Sequence, residues 1–335
     1  MRMYKFLPFL LILLLSGATA ESGEAAGVPW QESSVLRTGK WLKVKTTKKG
    51  IYRITYDKLR SWGCSSPELV NVYGNGGYKL TEYLNEIPPD DLAGNRSWRG
   101  RDESGKDCLF FFSTGSVAWK WDGQNGIFRH VVNPYSEECY YFLTQESAAN
   151  NVEMAAAVEL EPNLTITAFD DRMRYENEVN NLIESGQQWF GEKFGPNGNR
   201  TFNLTCENPV QASPAKILVS GAGRSPSSSS FEVSVNQVKQ ETLPFSPVSV
   251  DNATATYADG REKIYPFNMT ASAVAVSMTY AATNALSEGY LDYITVNWRR
   301  QLRMGGDEMY FRDTPSTGAA NICRFVIDNG SAGYR

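Results

Sequence analysis

Histidine is almost missing: His130 is the only one in 335 residues. Any imidazole base or metal ligand must be this residue, which excludes multi-histidine metal sites and the two-histidine metalloprotease pattern. Cysteine offers no substitute. The five thiols, Cys64, Cys108, Cys139, Cys206 and Cys323, are odd in number, scattered and never spaced C-x-x-C, against both a zinc site and a disulfide framework. Buried free thiols are the expectation; an oxidising compartment would permit one bridge, and the spacing does not choose its pair. Clusters of basic residues are also lacking, and the formal charge is −4, so nothing gives the electrostatic footprint of a nucleic-acid binder.

Other signatures fail on context. The run Gly74-Asn75-Gly76-Gly77 is followed by no Lys-Ser or Lys-Thr pair and opens no long helix, so it reads as a tight turn and not a phosphate loop. The acidic stretches at Asp90-Asp91 and at residues 101–107 lack EF-hand spacing and read as solvated loops. No G-x-S-x-G elbow occurs, and no carboxylate pair stands out from the other acidic residues. No metal, cofactor or catalytic residue is therefore assigned.

After the first twenty residues no apolar run is long enough to span a bilayer, so no transmembrane segment is expected in the mature chain. Those twenty residues have the layout of a signal peptide. Arg2 and Lys5 supply the charged start, Phe6 to Leu15 the apolar core, and Ala18-Thr19-Ala20 the cleavage site, with processing after Ala20. The expected product is exported, either periplasmic or associated with the cell surface and outer membrane.

What is abundant is strand-forming material: seventeen Tyr, sixteen Phe and eight Trp among frequent β-branched and turn residues. The predicted fold is mainly β, with few short helices. A leader at 21–33 precedes an N-terminal β-rich domain at 34–150. Within it the first ordered unit, Ser34–Thr47, carries a strand marked by Trp41 and Val44 that reads as a hairpin with Ile51–Thr55 about Lys48-Lys49-Gly50, followed by a short helix over Tyr56–Trp62 with Thr55 or Asp57 near its start and Gly63 as its stop. Cys108–Phe112 reads as a strand buried on both faces, mid-sheet. A β-sandwich domain of jelly-roll-like character follows at 151–300, with strands at Thr201–Cys206, Lys216–Ser220, Phe231–Val235, Ser272–Tyr280 and Tyr290–Trp298, and Gly- and Ser-rich connections such as Gly221–Ser230. Asp170–Ser185 is the best helix candidate, stopped by Gly186.

His130 falls in a segment that reads as two strands, Gly126–Val132 and Cys139–Thr144, about an Asn-Pro-Tyr-Ser turn. Cys139 would then lie on the partner strand. Both positions read as sheet, with no oxyanion-forming loop or helix N-terminus nearby, so a histidine bonded structurally near the turn is preferred to a Cys–His dyad. Trp119, Trp121 and Trp189 are candidate aromatic contact residues. Such side chains can stack on sugars, and in strands they more often cover a core.

The segments SSVLRTGKWLKV, KKGIYRITYDKL, VYGNGG, PPDDL, CLFFFSTGSVAWKW, FRHVVNPYSEECYYFLT, YENEVNNLIESGQQWFGEKF and GYLDYITVNWRRQL occur in that order between Ser33 and about Leu302. In this succession they resemble the N-terminal region of the type IX secretion system sortases, the PorU family, gingipain-like cysteine peptidases of Bacteroidetes. The resemblance implies a surface protein whose full-length members cleave C-terminal signal domains from secreted cargo, join that cargo to an anionic lipopolysaccharide, and work with the outer-membrane barrel protein PorV. The family's catalytic His and Cys lie beyond the matched segments. None of the five cysteines matches the nucleophile, and residues 301–335 would begin the connection to a peptidase domain that this sequence does not contain. The function so implied is that of a non-catalytic N-terminal portion that supports the peptidase domain and contacts cargo or partners. The alternative from the residues alone is a free-standing, secreted carbohydrate-binding or adhesion module.

Overall fold

The computed structural model describes residues 30–330, except 84, 154–159, 185, 186, 253 and 307. The expected signal peptide, most of the leader and residues 331–335 lie outside the described residues. Among those described, no helix is long and apolar enough to cross a membrane. The protein is mainly β, as its composition predicts.

Alternating burial shapes the first strands, β1 (Leu42–Thr46) and β2 (Gly50–Thr55). The Thr55 hydroxyl then accepts from the Lys58 N–H at 3.2 Å and caps α1 (Tyr56–Ser61). Leu59 is buried and Gly63, at φ +92°, stops the helix as expected. There follow β3 (Val70–Tyr73), β4 (Gly94–Asn95), β5 (Ser97–Arg101), β6 (Asp107–Ser113), β7 (Val117–Asp122), β8 (Ile127–Val132) and β9 (Cys139–Gln145). They make two antiparallel sheets, β1-β9-β3-β4 and β2-β6-β5, plus a separate hairpin, β7-β8. Leu59, Val72, Leu109, Phe111, Tyr141 and Leu143 lie in the core that the two sheets share with α1. β6 is mid-sheet as predicted, although Phe112 faces outward.

Neither hairpin expected in this half forms. β1 pairs with β9 and β2 with β6, because the Lys48-Lys49 segment carries the chain from one sheet to the other. The buried hydroxyls of Thr46 and Ser113, 2.8 Å apart, and the Tyr52 hydroxyl, which accepts from the Lys48 N–H at 3.1 Å, fix that corner. Residues 126–132 and 139–144 are not partners either. β8 pairs with β7 around the short turn after Asp122, and the Asn-Pro-Tyr-Ser segment leads away to β9 in another sheet. Facing the apolar sides of two sheets toward each other outweighs pairing of sequence neighbours.

The second half contains β10 (Leu164–Ile166), β11 (Ala168–Glu176), β12 (Lys193–Phe194), β13 (Asn199–Thr205), β14 (Pro214–Arg224), β15 (Ser229–Val235), β16 (Val238–Lys239), β17 (Leu243–Phe245), β18 (Asp259–Asn268), β19 (Ala273–Ala281), β20 (Glu288–Gln301) and β21 (Cys323–Phe325). One sheet runs β11-β20-β14-β18 with β12 on β20, and the other β13-β19-β15-β16 with β17 on β15. Their inner faces interdigitate as a sandwich around Phe231, Val276, Met278, Tyr280, Ile294 and Val296. The segment after β20 folds back on the same sheet: Asp313 pairs with Arg299 at 2.6 Å, and β21 lies parallel to β10.

Of the helix expected over 170–185, residues 170–176 instead belong to strand β11, and 177–184 form an irregular segment with an isolated bridge at Asn180. Asp170 and Asp171 pair with Arg299 and Arg300 of β20 at 2.7 and 3.0 Å, and nine cross-strand partners outweigh the incomplete apolar stripe of residues 173–183. Val179 and Ile183, two members of that stripe, are exposed. Ser185 and Gly186, the expected helix stop, lie outside the described residues. Nor is Gly221–Ser230 wholly a connection, since β14 continues through Arg224. Its glycines make room for rings. A Cβ on Gly223 would lie 2.6 Å from Phe245, and one on Gly289, across the ladder, 2.6 Å from Tyr280.

This close approach makes Gly289→Ala destabilising by about 1–3 kcal/mol in chemical denaturation, as overpacking requires. Gly260→Ala on β18, where nothing lies within 4 Å, should stay within about 0.5 kcal/mol of wild type.

Candidate functional site

The β7-β8 hairpin lies on the outer face of the β11-β20-β14 sheet, and this joint encloses the lone histidine. At its turn, the Asp122 carboxylate accepts from Asn125 Nδ2 at 2.8 Å, from Arg129 Nε at 2.8 Å and from the Asn125 N–H at 3.1 Å; these bonds hold its carboxyl down at about 2. Gly126, at φ +59°, lets the chain reverse. Cross-strand pairing sets Trp119 beside His130 and Trp121 beside Phe128.

Asn297 of β20 reaches up to the hairpin. Its Oδ1 accepts from the Phe128 N–H at 2.7 Å and its Nδ2 donates to the Phe128 carbonyl at 3.3 Å, so one side-chain amide satisfies both peptide groups of a buried strand residue. The Arg172 guanidinium sits 4.4 Å from the Phe128 ring centroid and 5.5 Å from that of Trp119. Arg129 ties the hairpin to Glu262 at 2.7 Å, and Lys216 donates to the Asn125 carbonyl.

The His130 side chain is 3% exposed. Its Nε2 lies 3.1 Å from Glu176 Oε2, its Nδ1 3.2 Å from Thr295 Oγ1, and Tyr293 meets the ring edge-on at 4.5 Å. A carboxylate only accepts, so Nε2 carries the proton and Nδ1 accepts from the Thr295 hydroxyl. Burial holds the imidazole well below the ordinary histidine range, to about 4, with Arg174 adding to the effect and Asp292 opposing it. Glu176 does not rescue the charge, because Arg174 is paired to the same Oε2.

Thr295, His130 and Glu176 thus have the order of hydroxyl, base and orienting carboxylate. The arrangement cannot serve as a triad: Thr295 is fully buried beneath the hairpin, and so weak a base is poorly matched to proton abstraction. Cys139 lies elsewhere, on β9, packed against Gly77 with its thiol pushed up by burial. Cys206 is pushed up to about 12 in the sandwich core. All five cysteines are free, and four are buried. Among the described residues no group of three or more His, Cys, Asp or Glu is placed to hold a metal.

Beside the joint opens a cleft of about 560 Å³ lined by His130, Tyr135, Glu178, Gln188, Trp189 and Asp292, among others. Burial raises the Asp292 carboxyl above the usual range despite a 2.9 Å bond from Ser220; Glu178 is raised by burial and then by Asp292. The structure therefore separates the three tryptophans. Trp119 is half-buried in the joint against His130 and Arg172, Trp121 packs on Phe128 at its margin, and Trp189 stands in the cleft. Thr295, Asn297, Glu176 and Arg172 were not singled out in the sequence. The one signal was the polar row Tyr293, Thr295, Asn297 along β20, which alternation alone assigns to solvent.

No protein-family model and no curated protein matches the chain. Among solved structures, dimeric latent PorU from Porphyromonas gingivalis is similar with a TM-score of 0.75 and 27% identity over 88% of this chain. The fold is PorU-like. The match takes in 28% of the PorU chain, so this protein spans well under a third of its length. A CBM36 domain of a multidomain xylanase from the hindgut metagenome of Trinervitermes trinervoides gives a TM-score of 0.27 at 11% identity, covering 42% of this chain and 99% of that one. A family 35 carbohydrate-binding module from Clostridium thermocellum gives 0.25 at 13%, covering 38% and 90%. Scores this low carry no argument beside the PorU likeness.

Two outcomes follow. Asn297→Ala strands the Phe128 N–H and carbonyl and should lower stability by about 2–3 kcal/mol in denaturant titration. His130 stays neutral in the fold while the unfolded chain takes up a proton, so acidification from pH 6.5 to 4 should remove up to about 3 kcal/mol. Asp292 and Glu178, raised in the fold, act in the opposite direction. His130→Gln isolates the histidine contribution: its stability should fall less steeply than wild type across that window.

Proposed function

We propose that this chain is the non-catalytic N-terminal portion of a type IX secretion system sortase, exported to the outer membrane surface. There it supports a gingipain-like peptidase domain and contacts cargo bearing C-terminal signal domains, or the barrel protein PorV. The observation that carries the reading is the PorU-like fold over 88% of the chain. Burial of the Thr295–His130–Glu176 set and of the thiol nearest the histidine in sequence agrees with a supporting role, because neither offers a nucleophile within reach of a peptide.

Incubating the purified protein with cargo carrying a C-terminal signal domain tests the proposal. The expected result is no hydrolysis, with cargo or PorV retained on the immobilised protein. Cleavage that is lost on His130→Gln or Cys139→Ala would overturn it, as would failure to retain either partner.

A further inference from the structure

Trp189 is the one sequence-selected tryptophan that lines the cleft, and its surroundings suit a ligand. We propose that the cleft beside the joint binds an uncharged saccharide, with Trp189 and Tyr135 as its stacking surfaces. Trp189 is 38% exposed and Tyr135 64% exposed, yet both belong to one concave site of about 560 Å³. The apolar face of a sugar ring needs such a platform. Its hydroxyls need donors and acceptors together, and the walls carry both: the amides of Gln187 and Gln188, and the carboxyls of Glu137, Glu178 and Asp292.

Charge narrows the class. Lys79 is the cleft-lining lysine and is already paired with Glu82 at 2.7 Å, and the neighbouring Arg174 is engaged by Glu176, so a phosphate, sulfate or uronic acid would meet Glu137, Glu178 and Asp292 with both nearby cations already paired. A lipid would leave the same carboxyls unpaired. The Tyr135 side of the aromatic wall is also set in advance. The Tyr135 hydroxyl donates to Glu82 at 3.0 Å and accepts from Gln187 Nε2 at 3.2 Å, so little ordering remains to be done on binding. The floor is the buried His130–Glu176 pair, which belongs to the joint and does not depend on a ligand. This site is independent of the sortase-portion reading, so the failure of one leaves the other standing.

Screening the purified protein on an array of neutral glycans, then titrating the best hit by calorimetry, gives the test. Binding should fall by about tenfold or more in Trp189→Ala and in Tyr135→Ala, persist largely in Trp189→Phe, and stay unchanged in Trp121→Ala. It should change less than about twofold between roughly 50 and 500 mM salt. Both aromatic side chains are exposed, so circular dichroism should show folded variants. The proposal is overturned if folded wild type binds no glycan, if binding survives both alanine variants, or if binding of the best hit collapses with salt.

Discussion

The amide of Asn297 holds the peptide of Phe128 from both sides, and this clasp turns the outer face of a sandwich sheet into a second interior. An antiparallel sheet can leave one face in water. Here Thr295 and Asn297 alternate with Ile294, Val296 and Trp298 on β20, and all five are buried. The inward row packs in the sandwich; the outward row is polar and bonds the β7-β8 hairpin. Because the hairpin comes from the first half of the chain and the sheet from the second, the two halves are joined by bonds that neither can replace alone.

Electrostatics around the clasp obey the same constraint. Buried charges persist where they are paired. Glu176 is held by Arg174 and by the His130 N–H, Arg299 by Asp170 and Asp313, and Arg172 rests on two aromatic rings. The imidazole gives up its own charge instead. Chemistry that a lone histidine can perform at a surface is thereby exchanged for a fixed tautomer that positions a hairpin.

Much of this architecture was readable from residue patterns, and the failures have a common cause. Thr55, Leu59 and Gly63 announce α1 because capping, burial and a left-handed stop are local events. Val274, Val276 and Met278 announce β19 for a similar reason, a period of two with one buried face. By contrast β11 looks helical until Asp170 and Asp171 meet Arg299 and Arg300, residues about 130 positions away. The two missed hairpins are likewise cases in which a non-local partner displaces the adjacent strand. The clasp was illegible for the same reason: an asparagine in a strand reads as solvent-facing unless the peptide it will hold is known. Trp119 and Trp121 share a strand, and only the hairpin's docked position shows that the first is held in the joint and the second lies at its margin.

Native-state hydrogen exchange at the Phe128 amide tests the central claim most directly. If the hairpin and the sandwich form one cooperative unit, that amide exchanges only through the opening that also releases the core strand β14, with protection equal to that of Ile217 or Val219. Exchange of Phe128 at the rate of an exposed loop, with β14 still protected, would contradict the account.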